Sequence, residues 1–182
     1  MPAYINTFNW FVGAGTVLMQ IAIVLIACNL IFFRTHTNVF LVFFEKYTFI
    51  FGFLTGLGSM VVSLWYSGVI GFPPCELCWM QRIFLYPQLI LFGMELWKRD
   101  RTIINHSLAL AFVGSLISIF HIYIEHGGSS SLACATGTTT EVSCAIRYVY
   151  QFSYVTIPVM ALTASVFIIF LLVNYRYISR AR

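Results

Sequence analysis

Charge is what this chain has least of. Ten Lys and Arg and six Asp and Glu make up 9% of its 182 residues, where a soluble domain carries roughly 25%. Hydrophobic residues account for 60% and aromatic residues for 18%, and the mean hydropathy is +0.88. A soluble core of this size has no room for so much apolar surface. The shortage of charge therefore excludes an ordinary cytosolic enzyme, a disordered tail and a nucleic-acid module. A second absence is local: the first 33 residues contain no Asp, Glu, Lys or Arg. Without a basic leading region, and with an apolar run longer than a secretory signal needs, this segment is expected to stay as a membrane span. A third absence is of period-two alternation in the apolar runs, which excludes barrel strands.

What is present is a series of apolar runs near the roughly 20 residues that a helix needs to cross a bilayer. Residues 11–33, 47–70, 102–124 and 155–175 are predicted spans, and 79–97 is a fifth. The fifth carries Arg82 near one end and Glu95 near the other, both within snorkelling reach of an interface. Pro87 is expected to kink it, since proline removes a backbone donor. The expected fold class is all-α: a polytopic membrane helix bundle with an uncharged first helix.

Lys and Arg positions orient the bundle. Arg34 and Lys46 fall between spans one and two in the chain, Lys98, Arg99 and Arg101 between 79–97 and 102–124, and Arg176, Arg180 and Arg182 at the end. With five spans these segments share one side, the cytoplasmic one. The N-terminus then lies outside, the C-terminus inside, and only Arg82 and Arg147 among the basic residues lie outside. The net charge of +4 is a topology signal and implies no nucleic-acid partner.

No cysteine falls in a segment assigned to the cytoplasm. Cys75 and Cys78 lie in the short outer connection ahead of 79–97, and Cys134 and Cys144 in the long outer loop 125–154. This is the face on which disulfides persist. Cys28, inside the first span, reads as a small buried apolar residue. The first pair stands in Pro73-Pro74-Cys75-Glu76-Leu77-Cys78-Trp79-Met80-Gln81-Arg82. Two intervening residues suit a redox-active pair at a helix start, where the dipole favours a thiolate, but zinc sites use the same spacing. Arg82, four residues after Cys78, stacks over the same helix face. There it lowers a thiolate pKa and can hydrogen-bond a carbonyl oxygen of a bound ring, or else it anchors at the headgroups. The second pair, with nine residues between its members in a Gly-, Ser- and Thr-rich loop, reads as a mobile relay or as a static staple. Residues 145–153 could lie along the membrane surface as a short amphipathic piece.

The run Pro74-Cys75-Glu76-Leu77-Cys78-Trp79-Met80-Gln81-Arg82, then Tyr86-Pro87, resembles the DsbB family of membrane disulfide-generating oxidoreductases, and within it the shorter BdbC-like branch. Cys134 and Cys144, followed by Thr156-Ile157-Pro158 and Ala161-Leu162-Thr163-Ala164, extend the resemblance over about residues 47–175. Vitamin K epoxide reductase relatives place the loop cysteines before the paired motif; here the motif comes first. The resemblance implies a four-helix redox unit (47–175), preceded by an extra helix and connection (1–46) and followed by a basic cytoplasmic tail (176–182). It implies a bacterial cytoplasmic (inner) membrane enzyme that reoxidises a DsbA-like thioredoxin-fold oxidase and passes electrons to the membrane quinone pool, ubiquinone or menaquinone. By motif position, Cys134 forms the mixed disulfide with the partner and Cys144 exchanges with Cys75. Cys78 faces the quinone with Arg82 beside it, and Gln81 supports the site.

His121, at the outer end of the fourth span, is a further candidate for quinone contact or proton transfer, against a packed, hydrogen-bonded role. Glu125 and His126 are expected to be solvated, and Trp65, Tyr66 and Trp79 to form an interfacial aromatic belt. His36 and His106 have no expected role. The chain is expected to act as a monomer with no resident metal. The competing expectation is a metal-binding membrane protein using the four outer cysteines and His126.

Overall fold

The computed structural model describes residues 3–33, 39–98, 102–128 and 143–181. Five helices follow one another: α1 (Ala3–Cys28), continued by a π-helical turn (Asn29–Phe33), α2 (Val39–Gly68), α3 (Glu76–Lys98), α4 (Ile103–Glu125) and α5 (Ile157–Ala181). Among the described residues no strand forms; one isolated bridge joins Gln151 and Val155. The fold is the expected all-α bundle. α2 packs on α3 and α5, α4 packs on α3 and α5, and α1 lies along α5. Helices α2 to α5 thus make a four-helix core, and α1 is added to its flank.

α1, α2, α4 and α5 are long and apolar enough to cross a membrane, over Tyr4–Ile31, Val39–Gly68, Ile103–Glu125 and Ile157–Arg180. Their outward rows are apolar, for example Phe112, Leu116, Ile119 and Tyr123 on α4, spaced three or four residues apart as one helix face requires. α3 is not among the apolar four because it carries Gln81, Arg82, Gln88 and Glu95 in its interior. Its 23 residues nevertheless extend about 35 Å at 1.5 Å per residue, packed between α2 and α4. The helix continues through Pro87 without interruption.

Two kinds of contact hold α3. Toward α2, Gly52 and Gly56 form a small-xxx-small pair. A Cβ on Gly56 would lie 2.9 Å from the Leu89 amide nitrogen, and one on Gly52 would lie 2.5 Å from the Phe92 ring. Glycine is what lets these backbones approach, which is how helices gain packing energy where lipid is as apolar as the interior. Toward α4 the contact is polar. Gln81 Nε2 donates to Ser118 Oγ (3.2 Å) and Gln88 Nε2 to the Ser107 carbonyl (3.0 Å), while Ser107 Oγ donates to Gln88 Oε1. Toward the inner ends, Ile26, Leu41, Phe44, Phe167, Leu171 and Ile178 form one apolar cluster, and Phe92, Ile104, Ala111, Ile168 and Leu172 another.

Several expectations need correction. Cys28 is exposed on the outward side of α1, because the inward face there belongs to Ile26. Tyr66 is buried rather than interfacial, donating to Asn9 Oδ1 of α1 at 2.9 Å. Glu125 is buried at the end of α4. Thr156 Oγ1 donates to its Oε2 (2.8 Å), and Arg147 Nε stands 3.6 Å from its Oε1. Residues 145–153 form no helix: Phe152 and Ser153 take positive φ values of 50° and 67° in a tight turn closed by Gln151 and Val155. Arg34, His36, Arg99, Arg101, Cys134 and Arg182 lie outside the described residues.

Candidate functional site

The site starts where α3 starts. Pro73 and Pro74 cannot extend a helix backward, since each lacks an amide donor. Cys75 then occupies the position just before the first helical residue: its carbonyl accepts from the Trp79 amide at 3.1 Å. Its sulfur takes the place of the usual capping oxygen, accepting the Cys78 amide at 3.3 Å. A side chain that caps the third helical amide satisfies one of the orphan donors at a helix start. The spacing of the motif therefore brings the two sulfurs together, 2.9 Å apart, as a hydrogen-bonded pair of free cysteines.

The two thiols have opposite characters, and both sulfurs lie ahead of the predicted span that begins at residue 79. The proton that Cys75 donates to Cys78 pushes the Cys75 thiol well up, with burial adding to the shift. The same hydrogen bond holds the Cys78 thiol down to about 7; burial opposes this, while a backbone hydrogen bond and the charge of Arg82 reinforce it. The helix start favours the same ionisation. Cys78 is the sulfur of the pair that ionises more readily, and Cys75 the one that keeps its proton.

Arg82 is fixed from α2: its Nε donates to Ser63 Oγ at 2.8 Å and its Nη2 to the Ser63 carbonyl at 3.2 Å. Its guanidinium lies over the Trp79 ring, 5.0 Å from the centroid. It is thus built into the helix pair, which a headgroup anchor would not be. His121, on α4, is buried with Nε2 3.8 Å from Cys75 Sγ and 3.3 Å from the Cys144 carbonyl oxygen. Cys75, Cys144, Leu77 and Ile124 pack as one cluster. Cys144 is disulfide-bonded, and His121 touches both cysteine-bearing segments.

A cavity of about 520 Å³ opens beside the pair, within the range of ligand sites. Cys75, Cys78, Gln81, Arg82, Tyr86 and His121 line its outer part, and Phe44, Phe51 and Phe167 its inner part. Tyr86 Oη and His121 Nδ1 are buried with no hydrogen-bond partner among the described residues. A cavity with Arg82, Gln81 and His121 beside the sulfurs and aromatic walls below suits a molecule with a polar ring and a long apolar tail. Cys75 Sγ, Cys78 Sγ and a His121 ring nitrogen also lie within 4.8 Å of one another, so the same corner has three groups able to hold a metal. His126 takes no part: it is exposed, with Nδ1 2.8 Å from the Ile122 carbonyl.

A buried Cys-x-x-Cys pair capping a helix at the mouth of a membrane bundle has the geometry of thiol–disulfide exchange. The family follows from comparison with known proteins: residues 45–174 match the family described as Disulfide bond formation protein DsbB, and the chain belongs to that family. It is similar to disulfide bond formation protein C of Bacillus subtilis strain 168, 37% identical over 119 residues, which are 64% of this chain and 83% of that protein. It is also similar to a probable disulfide formation protein C 1 of Bacillus cereus strain ATCC 10987, 40% identical over 110 residues, 60% of this chain and 75% of that one. An SPbeta prophage-derived disulfide bond formation protein B of Bacillus subtilis is 39% identical over 109 residues, 60% and 71% of the two chains. No solved structure matches. The protein is a multi-pass membrane oxidoreductase of disulfide bond formation.

Of the sequence-predicted site residues, Cys75, Cys78, Arg82, Gln81 and His121 line one cavity with Cys144. Tyr86 was passed over as a site residue, although Cys78, Arg82 and Tyr86 stand four residues apart in turn and so share a helix face. Ser63 gave no sequence signal: its role exists only because α2 lies beside Arg82.

Proposed function

We propose that the protein reoxidises a DsbA-like thioredoxin-fold oxidase outside the bacterial cytoplasmic membrane and delivers the electrons to a membrane quinone. The observation that supports this best is the cavity in which the low-pKa sulfur, a fixed guanidinium and the His121 ring stand at one end of an apolar space. When bound there, a quinone of either the ubiquinone or menaquinone class supplies a two-electron, two-proton acceptor. Arg82, Tyr86 and His121 are the groups that would hold its ring, with Gln81 supporting α3 from behind. The extracytoplasmic side is assigned from the Lys and Arg distribution, which leaves the N-terminus and both cysteine-bearing segments outside and the C-terminus inside.

Three exchanges complete the cycle. A thiolate of the partner attacks Cys134 of an oxidised loop pair, and the partner leaves as a disulfide, with Cys134 and Cys144 reduced. The Cys144 thiolate then attacks Cys75 of an oxidised Cys75/Cys78 disulfide and releases Cys78 as a thiolate, the better leaving group because of its lower pKa. Attack of Cys134 on Cys144 restores the loop disulfide and leaves Cys75 a thiol. The Cys75/Cys78 dithiol finally gives up two electrons and two protons and closes again as a disulfide. The contact of His121 Nε2 with Cys75 Sγ, 3.8 Å, supports a role for this ring beside the sulfur that exchanges with Cys144. Residues 47–175 carry this chemistry; residues 1–46 and 176–182 flank it.

The test is spectroscopic quinone reduction by purified protein with a reduced thioredoxin-fold oxidase and a Cys75→Ala control. Quinone loss that depends on Cys75 is expected. A second reading, metal binding, has the cluster of Cys75, Cys78 and His121 in its favour. Absence of turnover together with stoichiometric zinc or copper in the isolated protein would establish that reading instead.

A further inference from the structure

The cavity is not made by the four-helix core alone. Residues 12, 15, 16, 18, 19 and 22 of α1 line it as well, and α1 lies outside the region that matches the family. The helix is secured to α5 and to the outer turn: Gln20 Nε2 donates to Thr163 Oγ1 (3.1 Å), and Tyr154 Oη donates to Gln20 Oε1 (2.7 Å). Its relation to α2 is different. At the outer end Tyr66 donates to Asn9, and Phe8 stacks on Trp65 with centroids 5.5 Å apart. At the inner end Ile26 packs with Leu41 and Phe44. Between these two points each helix presents a glycine at the cavity wall, Gly15 on α1 and Gly58 on α2, and a Cβ built on either meets no atom within 4 Å. Counting from the Asn9 and Tyr66 link at 1.5 Å per residue, both glycines lie about 9–12 Å below it, at one level. Leu18 and Leu54, one turn deeper, line the cavity and are also more than half exposed. Side chains that belong at once to the cavity and to the lipid-facing surface mark an opening.

We infer that the gap between α1 and α2 is a lateral portal through which an isoprenoid quinone enters from the bilayer, with Gly15 and Gly58 as its threshold. This rests on the quinone reading above. The ring of such a molecule is polar and its tail is not, so it can approach the sulfurs only from within the membrane. A gap pinned at both ends and open in the middle admits it sideways while keeping the outer end, next to the sulfurs, closed to water. α1 is on this account the helix that turns an open groove on the core into a site with a doorway.

The test uses the full-length protein in lipid nanodiscs, with decylubiquinone and a menaquinone analogue as probes and tryptophan fluorescence as the binding signal. Substituting Gly15 by Ala, Val and Phe, and Gly58 likewise, is expected to slow association and dissociation in step with side-chain size. At Phe both rates should fall about tenfold while the equilibrium affinity moves far less, the signature of a gate rather than of a lost contact. Thermal unfolding and quinone-free thiol exchange check that each variant is folded. Wild-type association rates in both Phe variants would overturn the portal and leave the quinone site standing. A large loss of affinity with unchanged association rate would make these glycines part of the ring or tail pocket and also overturn it. Failure of the unsubstituted protein to bind either probe would remove the quinone reading and the portal together.

Discussion

α1 and α3 are helices of similar length with opposite compositions. α1 has no charged residue and packs mainly on one neighbour, α5. α3 bears Glu76, Arg82, Glu95 and Lys98, together with Gln81 and Gln88, and is packed on both sides. In a membrane a polar group is tolerated only where protein surrounds it, and α3 shows the rule in detail. Gln81, Gln88 and Glu95 are all buried and fall at seven-residue intervals, which is two turns, so they share a face. Arg82 is turned the other way, onto Ser63 of α2. Glu76 and Lys98 are exposed at its two ends, and the polar groups between them depend on neighbouring helices. α1 has no such dependence and is held by a few hydrogen bonds near its outer half. Chemistry is concentrated on a helix flanked by two neighbours, and the helix held mainly by one is left simple.

That contrast can be broken most severely at the sulfurs. Cys78→Ser removes the thiolate and the capacity to close a disulfide on α3, so quinone reduction should fall by about a thousandfold or more, measured with reduced partner in excess. Arg82→Ala comes next. The Arg82 charge helps hold the Cys78 thiol down to about 7, so its loss should move the midpoint of iodoacetamide alkylation to higher pH than in the unsubstituted protein. A rise of about one pKa unit cuts the thiolate fraction at pH 7 from about one half to about one tenth, so quinone turnover at neutral pH should fall by about fivefold. The sign is that of a depressed acid: reactivity is present above the midpoint and lost as pH falls through it. Partner exchange at Cys134 should change little, and an equal loss in both half-reactions would remove Arg82 from its assigned place.

The smaller effects concern stability. Asn9→Ala takes from the buried Tyr66 hydroxyl its acceptor, at a cost of about 1–2 kcal/mol. It should loosen α1 at its outer end while leaving Cys78 alkylation unchanged. Gln88→Leu removes the hydrogen bonds to Ser107. Interhelical bonds inside membranes average only about 0.6 kcal/mol each, so thermal unfolding in detergent should move by no more than about 1 kcal/mol in equivalent. A much larger loss would mean that α3 depends on its polar stripe more than on the Gly52 and Gly56 contact.

The redox motif was readable because its logic is local. Two residues between cysteines, a pair of prolines before them and an arginine one turn later are facts of a single helix start, and the structure assembles them as the spacing requires. Glu125 was misjudged for the opposite reason. A carboxylate at the end of a span reads as solvated, and the groups that bury it, Arg147 and Thr156, stand 22 and 31 residues away in the chain. Tyr66 sits in the interior because Asn9, 57 positions earlier in the chain, accepts its hydroxyl proton, a contact that no local pattern signals. The placement of α1 had no sequence signal beyond Asn9 and Gln20, since a uniformly apolar helix does not announce which of its faces meets protein. Its two-glycine gap with α2 arises from tertiary packing alone.

His121 holds one edge of its ring against both redox pairs, Nε2 facing the Cys75 sulfur and the Cys144 carbonyl. In the proposed cycle, transfer of electrons between the pairs would change the charge and the proton count on the two sides of a single nitrogen. In a protein with four histidines, that nitrogen amounts to an indicator already wired into the circuit. Its magnetic resonance frequency should take a distinct value for each distribution of electrons between the pairs, and so timestamp each transfer as it happens.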